Sequence, residues 1–206
     1  DDAVFRILSM KLRYRIFARR YVRPAAAEKT VHDPGIRRLA RSSARRCITV
    51  VRDRARLLPL SPKKSVLVVV PWRHEYHEKG NDADYAPEQL YREVRRHCPG
   101  AALVEFAVPS TAEAIRHVVR RSADFNVTVV MDHVWRGPAT SHAVVKRLAK
   151  ARRRVAVVSN NPYDDRFLPE ARTLVVTYSA MPRSMAAAAD LLFGKIKPSG
   201  VWPLEE

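Results

Sequence analysis

From residue 65 onward, short apolar segments alternate with segments of helical periodicity. Apolar, mostly β-branched runs recur between polar turns at 65–71, 101–107, 126–132, 154–159 and 172–178. Such runs are typical of strands that are buried on both faces of a parallel sheet. Amphipathic segments fill the gaps between them and predict helices at 86–98, 110–122, 139–150 and 182–193.

The alternation of strand and helix predicts an α/β fold. Because parallel neighbours need crossover connections of one hand, we expect a three-layer, doubly wound sandwich with a mainly parallel sheet of about five strands. The last helix is well delimited, since it starts after Pro182 and ends at Gly194, a residue suited to a helix C-cap.

Residues 1–60 do not follow this alternation. Their periodicity predicts helices at 2–20 and 34–51, separated by a Pro- and Gly-containing linker. We therefore predict an N-terminal helical linker over 1–35 and a sandwich domain over 36–206. The chain begins abruptly within a predicted helix and shows no secretory signal pattern, so we expect it to belong to a longer protein and leave its localisation open.

The charge is the strongest compositional feature. Lys and Arg number 38 against 21 Asp and Glu, a net charge of +17 that would attract polyanions. The cations are spread over several helices without an aromatic RNA-binding strand or zinc-finger spacing, so we interpret them as a solvated surface and do not expect nucleic acid as a partner. The apolar runs are much shorter than the roughly 18 residues of a membrane span, so no membrane partner is expected.

Ligands of doubly wound sheets bind at the carboxyl ends of the strands. The loop after the first strand carries His74, Glu75, His77 and Glu78. An irregular loop does not hold such residues on one face, so we interpret it as a solvated loop and predict no metal site. The absence of a glycine-rich turn argues against a phosphate-bearing cofactor, and Cys47 and Cys98 lack metal-ligand spacing.

The loops after the other strands carry the remaining candidates. Asp132, His133 and Arg136 follow the third strand, and an Asp–His pair can perform acid–base chemistry when the imidazole pKa is suitably tuned. Adjacent strand residues point to opposite faces, which favours structural capping instead. The later loops carry Asn161, Tyr163 and Asp164, and then Tyr178 and Ser179, which either close local turns or contact a substrate or another domain.

Several segments together resemble a known family. The run NPYDDRFLPEARTLVVTYSAMPRSMAAAADLLFGKIKPSGVWPL at 161–204 is similar to the end of the C-terminal α/β-sandwich domain of glycoside hydrolase family 3, with its Pro-Tyr-Asp turn, alanine-rich helix and Pro-Ser-Gly closure. ARSSARRCITVVRDRARLLPLSPKKSVLVVVP resembles the helix and first strand of that domain, and RILSMKLRYRIFARRYVRP resembles the last helix of the preceding barrel. The Pro-Tyr-Asp turn is closest to the β-N-acetylhexosaminidase branch.

The resemblance implies a division of labour between two domains. The family's nucleophile is an Asp on an N-terminal (β/α)8 barrel, and the hexosaminidase branch also takes its acid/base from a barrel loop. The loop after the third strand here contains no Glu of the kind that serves the β-glucosidase branch. We therefore expect no catalytic residue, metal or cofactor in this chain, an accessory role beside the barrel, and a carbohydrate substrate at the seam between the domains.

Two other functions stay open at this point. The first is a free-standing basic α/β module that binds nucleic acid or another polyanion, which the net charge of +17 suggests. The second is an independent hydrolase that uses Asp132 and His133.

Overall fold

The computed structural model describes residues 1–72, 88–132 and 141–204. The chain divides into two compact units, residues 1–40 and 41–206. Within the described ranges no helix combines the length and the hydrophobicity needed to cross a bilayer.

Residues 1–40 are helical and expose their apolar side chains. Helix α1 spans Asp2–Arg13, α2 spans Pro24–Val31, and α3 spans Pro34–Cys47 and continues into the second unit. The predicted helix over 2–20 is therefore too long, since Arg15 already has a left-handed φ of 55°. The predicted linker contains α2, because Pro24 suits the first helical position and alanines follow it.

Among the described residues of the second unit, six strands form one sheet. They are β1 (Thr49–Asp53), β2 (Val66–Trp72), β3 (Ala102–Ala107), β4 (Val127–Asp132), β5 (Val155–Ser159) and β6 (Thr173–Val176). Their order across the sheet is β1-β6-β5-β4-β2-β3, and all neighbours are parallel except β1 and β6. The predicted α/β class and mainly parallel sheet are confirmed.

In the ranges that the structure describes, four helices cover the two faces of this sheet. They are α4 (Gln89–His97), α5 (Ala112–Arg121), α6 (His142–Ala151) and α7 (Pro182–Leu192). Successive residues of β2 alternate between two apolar clusters, with Val66, Val68 and Val70 on the side of α4 and α7, and Leu67 and Val69 on the side of α5 and α6. This alternation explains why the strand reads as a continuous apolar run.

Strand β1 corrects the predicted helix over 34–51. The helix ends at Cys47, and the next residues pair antiparallel with β6 at the edge of the sheet. Asp53 ends the strand and accepts hydrogen bonds from the backbone N–H groups of Leu57 (2.9 Å) and Leu58 (3.0 Å) and from the hydroxyl of Thr173 (2.6 Å). The β-branched residues 49–51 suit a strand, and β6 supplies the partner that makes one possible.

The C-terminal tail packs against the junction of α3 and β1. Gly194 caps α7 with a φ of 70°, and Lys195 N–H donates to the carbonyl of Asp190 at 2.7 Å, as in a Schellman cap. Farther along, the N–H of Gly200 donates to the carbonyl of Ile48 at 3.1 Å, and Trp202 packs against the cluster under α5 and α6. The tail therefore completes the edge of the sandwich at β1.

Candidate functional site

The topology of the sheet defines one crevice. The chain passes from β2 to β3 on one side and then returns across β2 to β4 on the other, so the connections diverge between β2 and β4. In doubly wound sheets, ligands bind outside the carboxyl ends of the strands at such a switch point. Asp132 is the last residue of β4 and therefore lies at this crevice.

Asp132 is fully buried and is held by the start of α6. Its Oδ1 accepts a hydrogen bond from the hydroxyl of Ser141, and its Oδ2 lies 3.2 Å from Nε2 of His142. Ser141 is itself fully buried. A buried carboxylate is tolerated when polar groups replace its hydration: the Ser141 hydroxyl donates a charge-assisted hydrogen bond to Oδ1, and the imidazole of His142 lies within ion-pair distance of Oδ2.

An aromatic side chain covers the imidazole. The rings of His142 and Phe167 are stacked, with centroids 5.6 Å apart and an interplanar angle of 22°. The side chain of His142 is 16% exposed, whereas Phe167 is 53% exposed. The ring of Phe167 thus shields the Asp–His pair, and the ring itself remains exposed to solvent at the rim of the crevice.

Asn161 mainly organises the loop after β5. Its backbone N–H donates to the hydroxyl of Ser159 at 3.0 Å, and its side-chain oxygen accepts from the N–H of Tyr163 at 3.2 Å. The second bond is an Asx turn, the local role that Asn often has in turns. The turn opens the 3₁₀ helix Pro162–Phe167, which leaves the side chain of Tyr163 57% exposed.

Tyr178 and Ser179 both serve the fold. Tyr178 has a left-handed φ of 57°, and its hydroxyl lies 3.0 Å from Oγ1 of Thr49 in β1. The hydroxyl of Ser179 accepts from the N–H of Met181 at 3.2 Å, immediately before α7. The two side chains therefore fasten the carboxyl end of β6 to β1 and to the start of α7.

Several sequence candidates lie outside the described residues. These are His133 and Arg136, the loop residues His74, Glu75, His77 and Glu78, and the side chain of Asp164. In the part of the chain that the structure describes, no three His, Cys, Asp or Glu side chains lie close enough to hold a metal ion.

Sequence reasoning missed Ser141 and His142. Both lie at the start of a predicted helix. A helix that follows a parallel strand begins on the side of the sheet where that strand ends, so the sequence could have placed these two residues near Asp132. The described part of the crevice brings together a carboxylate, a hydroxyl and an imidazole. Retaining glycoside hydrolysis instead uses two carboxyl groups about 5–5.5 Å apart.

Comparisons with known proteins agree with this architecture. No family model matches the chain. A curated β-N-acetylglucosaminidase/β-glucosidase from Cellulomonas fimi is 26% identical, and the alignment covers 100% of this chain and 38% of that protein. The solved structure of a glycoside hydrolase family 3 β-N-acetylglucosaminidase from a Paenibacillus species is 25% identical, has a TM-score of 0.76, and is matched over 98% of this chain and 38% of that one.

A third similarity concerns the fold alone. The β-glucoside phosphorylase BglX is 23% identical and superposes with a TM-score of 0.66 over 100% of this chain and 38% of its own. This chain thus spans 38% of the length of each of these three proteins. Its layered α/β sandwich places it in the class of doubly wound domains. It is a C-terminal domain of the glycoside hydrolase family 3 type.

Proposed function

We propose that this chain is the accessory, non-catalytic C-terminal domain of a family 3 glycosidase that hydrolyses terminal β-linked sugars, in particular N-acetyl-β-hexosaminides. One observation carries the proposal: the whole chain aligns with 38% of a β-N-acetylglucosaminidase/β-glucosidase, which leaves most of that enzyme for another domain. The described crevice supports it, because Asp132 is fully buried beneath Ser141 and His142 and is poorly placed to attack a sugar.

Exposed apolar side chains support a seam at the carboxyl edge of the sheet. Tyr163 and Phe167 follow β5, Met181 follows β6, and each is more than half exposed. Tyrosine, phenylalanine and methionine are enriched in the buried centres of protein interfaces. In our proposal, this edge faces the preceding barrel and the sugar at its mouth, with Asp164 contributing from the same loop as Tyr163.

Residues 1–35 would connect the two domains. Phe5, Leu8 and Leu12 form a stripe along α1, and all three are exposed. An amphipathic helix whose apolar stripe is uncovered gains stability by packing against another surface. The barrel that precedes the sandwich in family 3 enzymes is the partner that we propose for this stripe.

A fusion experiment tests the accessory role. The chain alone should not hydrolyse an aryl N-acetyl-β-glucosaminide above the blank. When it replaces the matching 38% of the Cellulomonas fimi enzyme, the fusion should hydrolyse the same substrate, whereas that enzyme without the segment should be inactive or unstable. Turnover by the chain alone that persists through repurification, or a folded but inactive fusion, would contradict the proposal.

A pair of substitutions tests the seam in the same fusion. Tyr163→Ala combined with Asp164→Ala should lower activity in the fusion and change the melting temperature of the isolated chain little. If the isolated chain loses much stability while activity per folded fusion molecule is unchanged, these residues serve the fold and not the seam.

A further inference from the structure

The topology of the sheet brings together cations that are far apart in sequence. Six of them flank strand ends on the side of the sheet where the parallel strands begin, opposite the crevice. They are Arg54 after β1, Lys63 and Lys64 before β2, Arg153 and Arg154 before β5, and Arg172 before β6. We call these six residues the basic edge. Because β1 runs antiparallel to β6, the end of β1 lies at the same edge as the starts of the parallel strands.

Backbone pairing shows that the strand ends on this edge are level. The N–H of Arg54 donates to the carbonyl of Arg172 at 2.7 Å, and the carbonyl of Arg154 accepts from the N–H of Thr128 at 3.0 Å. The N–H of Asn126, at the start of β4, donates to the carbonyl of Ser65 at 3.1 Å. From β1 to β2 the sheet advances by four strand spacings, or about 19 Å.

The charged side chains of the basic edge are exposed and belong to none of the ion pairs among the described residues. All six residues are exposed, and none of them forms an ion pair with a carboxylate in the described ranges. The carboxylates nearby have other partners: Asp124 lies 2.8 Å from Arg121, and Glu170 lies 3.4 Å from Lys150. Asp53 is occupied by the backbone N–H groups of the following turn.

The chemistry of this surface favours phosphate. Four of the six cations are arginines, whose planar guanidinium groups bind phosphate oxygens in pairs. A nucleic acid duplex carries about one charge per 1.7 Å of its axis, so a 19 Å row faces a segment of about 11 phosphates. The six cations can therefore pair with about half of the phosphates in a duplex segment of this length.

The surroundings of the basic edge argue against insertion into a membrane and against stacking on unpaired bases. Insertion into a membrane surface requires exposed Trp, Phe or Leu beside the cations, and stacking on unpaired bases requires exposed aromatic rings. The large exposed apolar side chains of residues 41–204 that the structure describes are Tyr163, Phe167, Met181 and Val201. The first three follow the carboxyl ends of β5 and β6, and Val201 lies in the tail beyond Gly200.

We propose that the basic edge binds duplex nucleic acid through its phosphates, without reading sequence. This interaction is independent of the glycosidase role, because it uses the edge of the sheet opposite the crevice. It also revises the sequence-based interpretation of the cations as a merely solvated surface, since the sequence separates residues that the sheet brings into one row.

Fluorescence anisotropy with a labelled random-sequence duplex tests the proposal on the full chain. Six phosphate contacts predict that affinity falls about 10³-fold between 50 and 200 mM salt. The variant Lys63→Gln, Lys64→Gln, Arg153→Gln and Arg154→Gln keeps two contacts, so its affinity should fall only about tenfold over the same range. Because these side chains are exposed and form no ion pair within the described part of the chain, the variant should melt at the temperature of the parent.

A matched variant separates the basic edge from net charge. Arg19→Gln, Arg20→Gln, Arg23→Gln and Arg38→Gln remove the same charge from exposed positions in residues 1–40 and should leave the salt dependence intact. Equal losses in the two variants would overturn the proposal, because net charge alone would then explain binding. Tighter binding to phosphatidylglycerol vesicles, to poly-glutamate or to single-stranded DNA than to the duplex would overturn it as well.

Discussion

Replacing Gly200 with alanine tests whether the C-terminal tail closes the sandwich. The N–H of Gly200 donates to the carbonyl of Ile48 at 3.1 Å, so the tail lies directly on the turn between α3 and β1. A Cβ at this position would come within 2.7 Å of the carbonyl oxygen of Ile48 and closer still to the carbonyl of Cys47 and to Oγ1 of Thr49. Two of these three obstacles are backbone atoms, which cannot rotate away.

The expected cost follows from the two ways of relieving this clash. If the tail stays in place, overpacking costs about 1–3 kcal/mol. If it lifts away, the hydrogen bond to Ile48 is lost, at about 0.5–1.5 kcal/mol, and Trp202 loses part of its packing. A loss of about 2 kcal/mol lowers the melting temperature of a chain of this size by roughly 4–8 °C.

Thermal unfolding followed by circular dichroism measures this loss, with Gly100→Ala as the matched control. No heavy atom lies within 4 Å of the Cβ that alanine would add at Gly100, so that variant should melt within about 1 °C of the parent. If Gly200→Ala melts with the parent, the tail does not pack on the α3–β1 junction as described. Equal losses in both variants would mean that the close contact at Gly200 does not set the cost, because Gly100 has no such contact.

Three further predictions concern other parts of the chain. Ser141→Ala removes the hydroxyl that donates to Asp132 and should lower the free energy of unfolding, measured with urea, by about 1.5–3 kcal/mol. A loss below about 0.5 kcal/mol would contradict the role of this hydrogen bond. The pKa of Glu170 is held below its usual range, first by a hydrogen bond from its own backbone N–H and then by the neighbouring Lys150. The ionised carboxylate therefore stabilises the folded chain above that range, and this stabilisation is lost as the pH falls through the lowered pKa. Glu170→Gln should therefore melt below the parent at neutral pH and with it in strong acid, and a pH-independent difference would refute the linkage. Limited trypsin digestion should remove residues 1–20 first, because no residue of α1 is buried; a protected α1 in an otherwise cleaved chain would refute this.

The central architecture was predictable because it depends on local pattern. A strand buried on both faces must be apolar at every position, so β2, β4 and β5 are visible as continuous valine-rich runs. The intervening helices carry their own periodicity, and alternation with the strands limits the topology to a doubly wound sandwich. Gly194 was recognisable as the end of α7 because the left-handed backbone there suits glycine.

The tertiary structure alone decided features that depend on distant partners. Strand β1 is stable as a strand because β6 lies beside it, although Thr49 and Val176 are far apart in the chain. Asp132 meets His142 because the end of β4 and the start of α6 share one edge of the sheet. Arg54 and Arg172 lie side by side for the same reason, since pairing between strands sets distances that sequence separation does not. Local sequence pattern thus determined most elements of the sandwich, whereas long-range pairing determined strand β1 and which side chains meet.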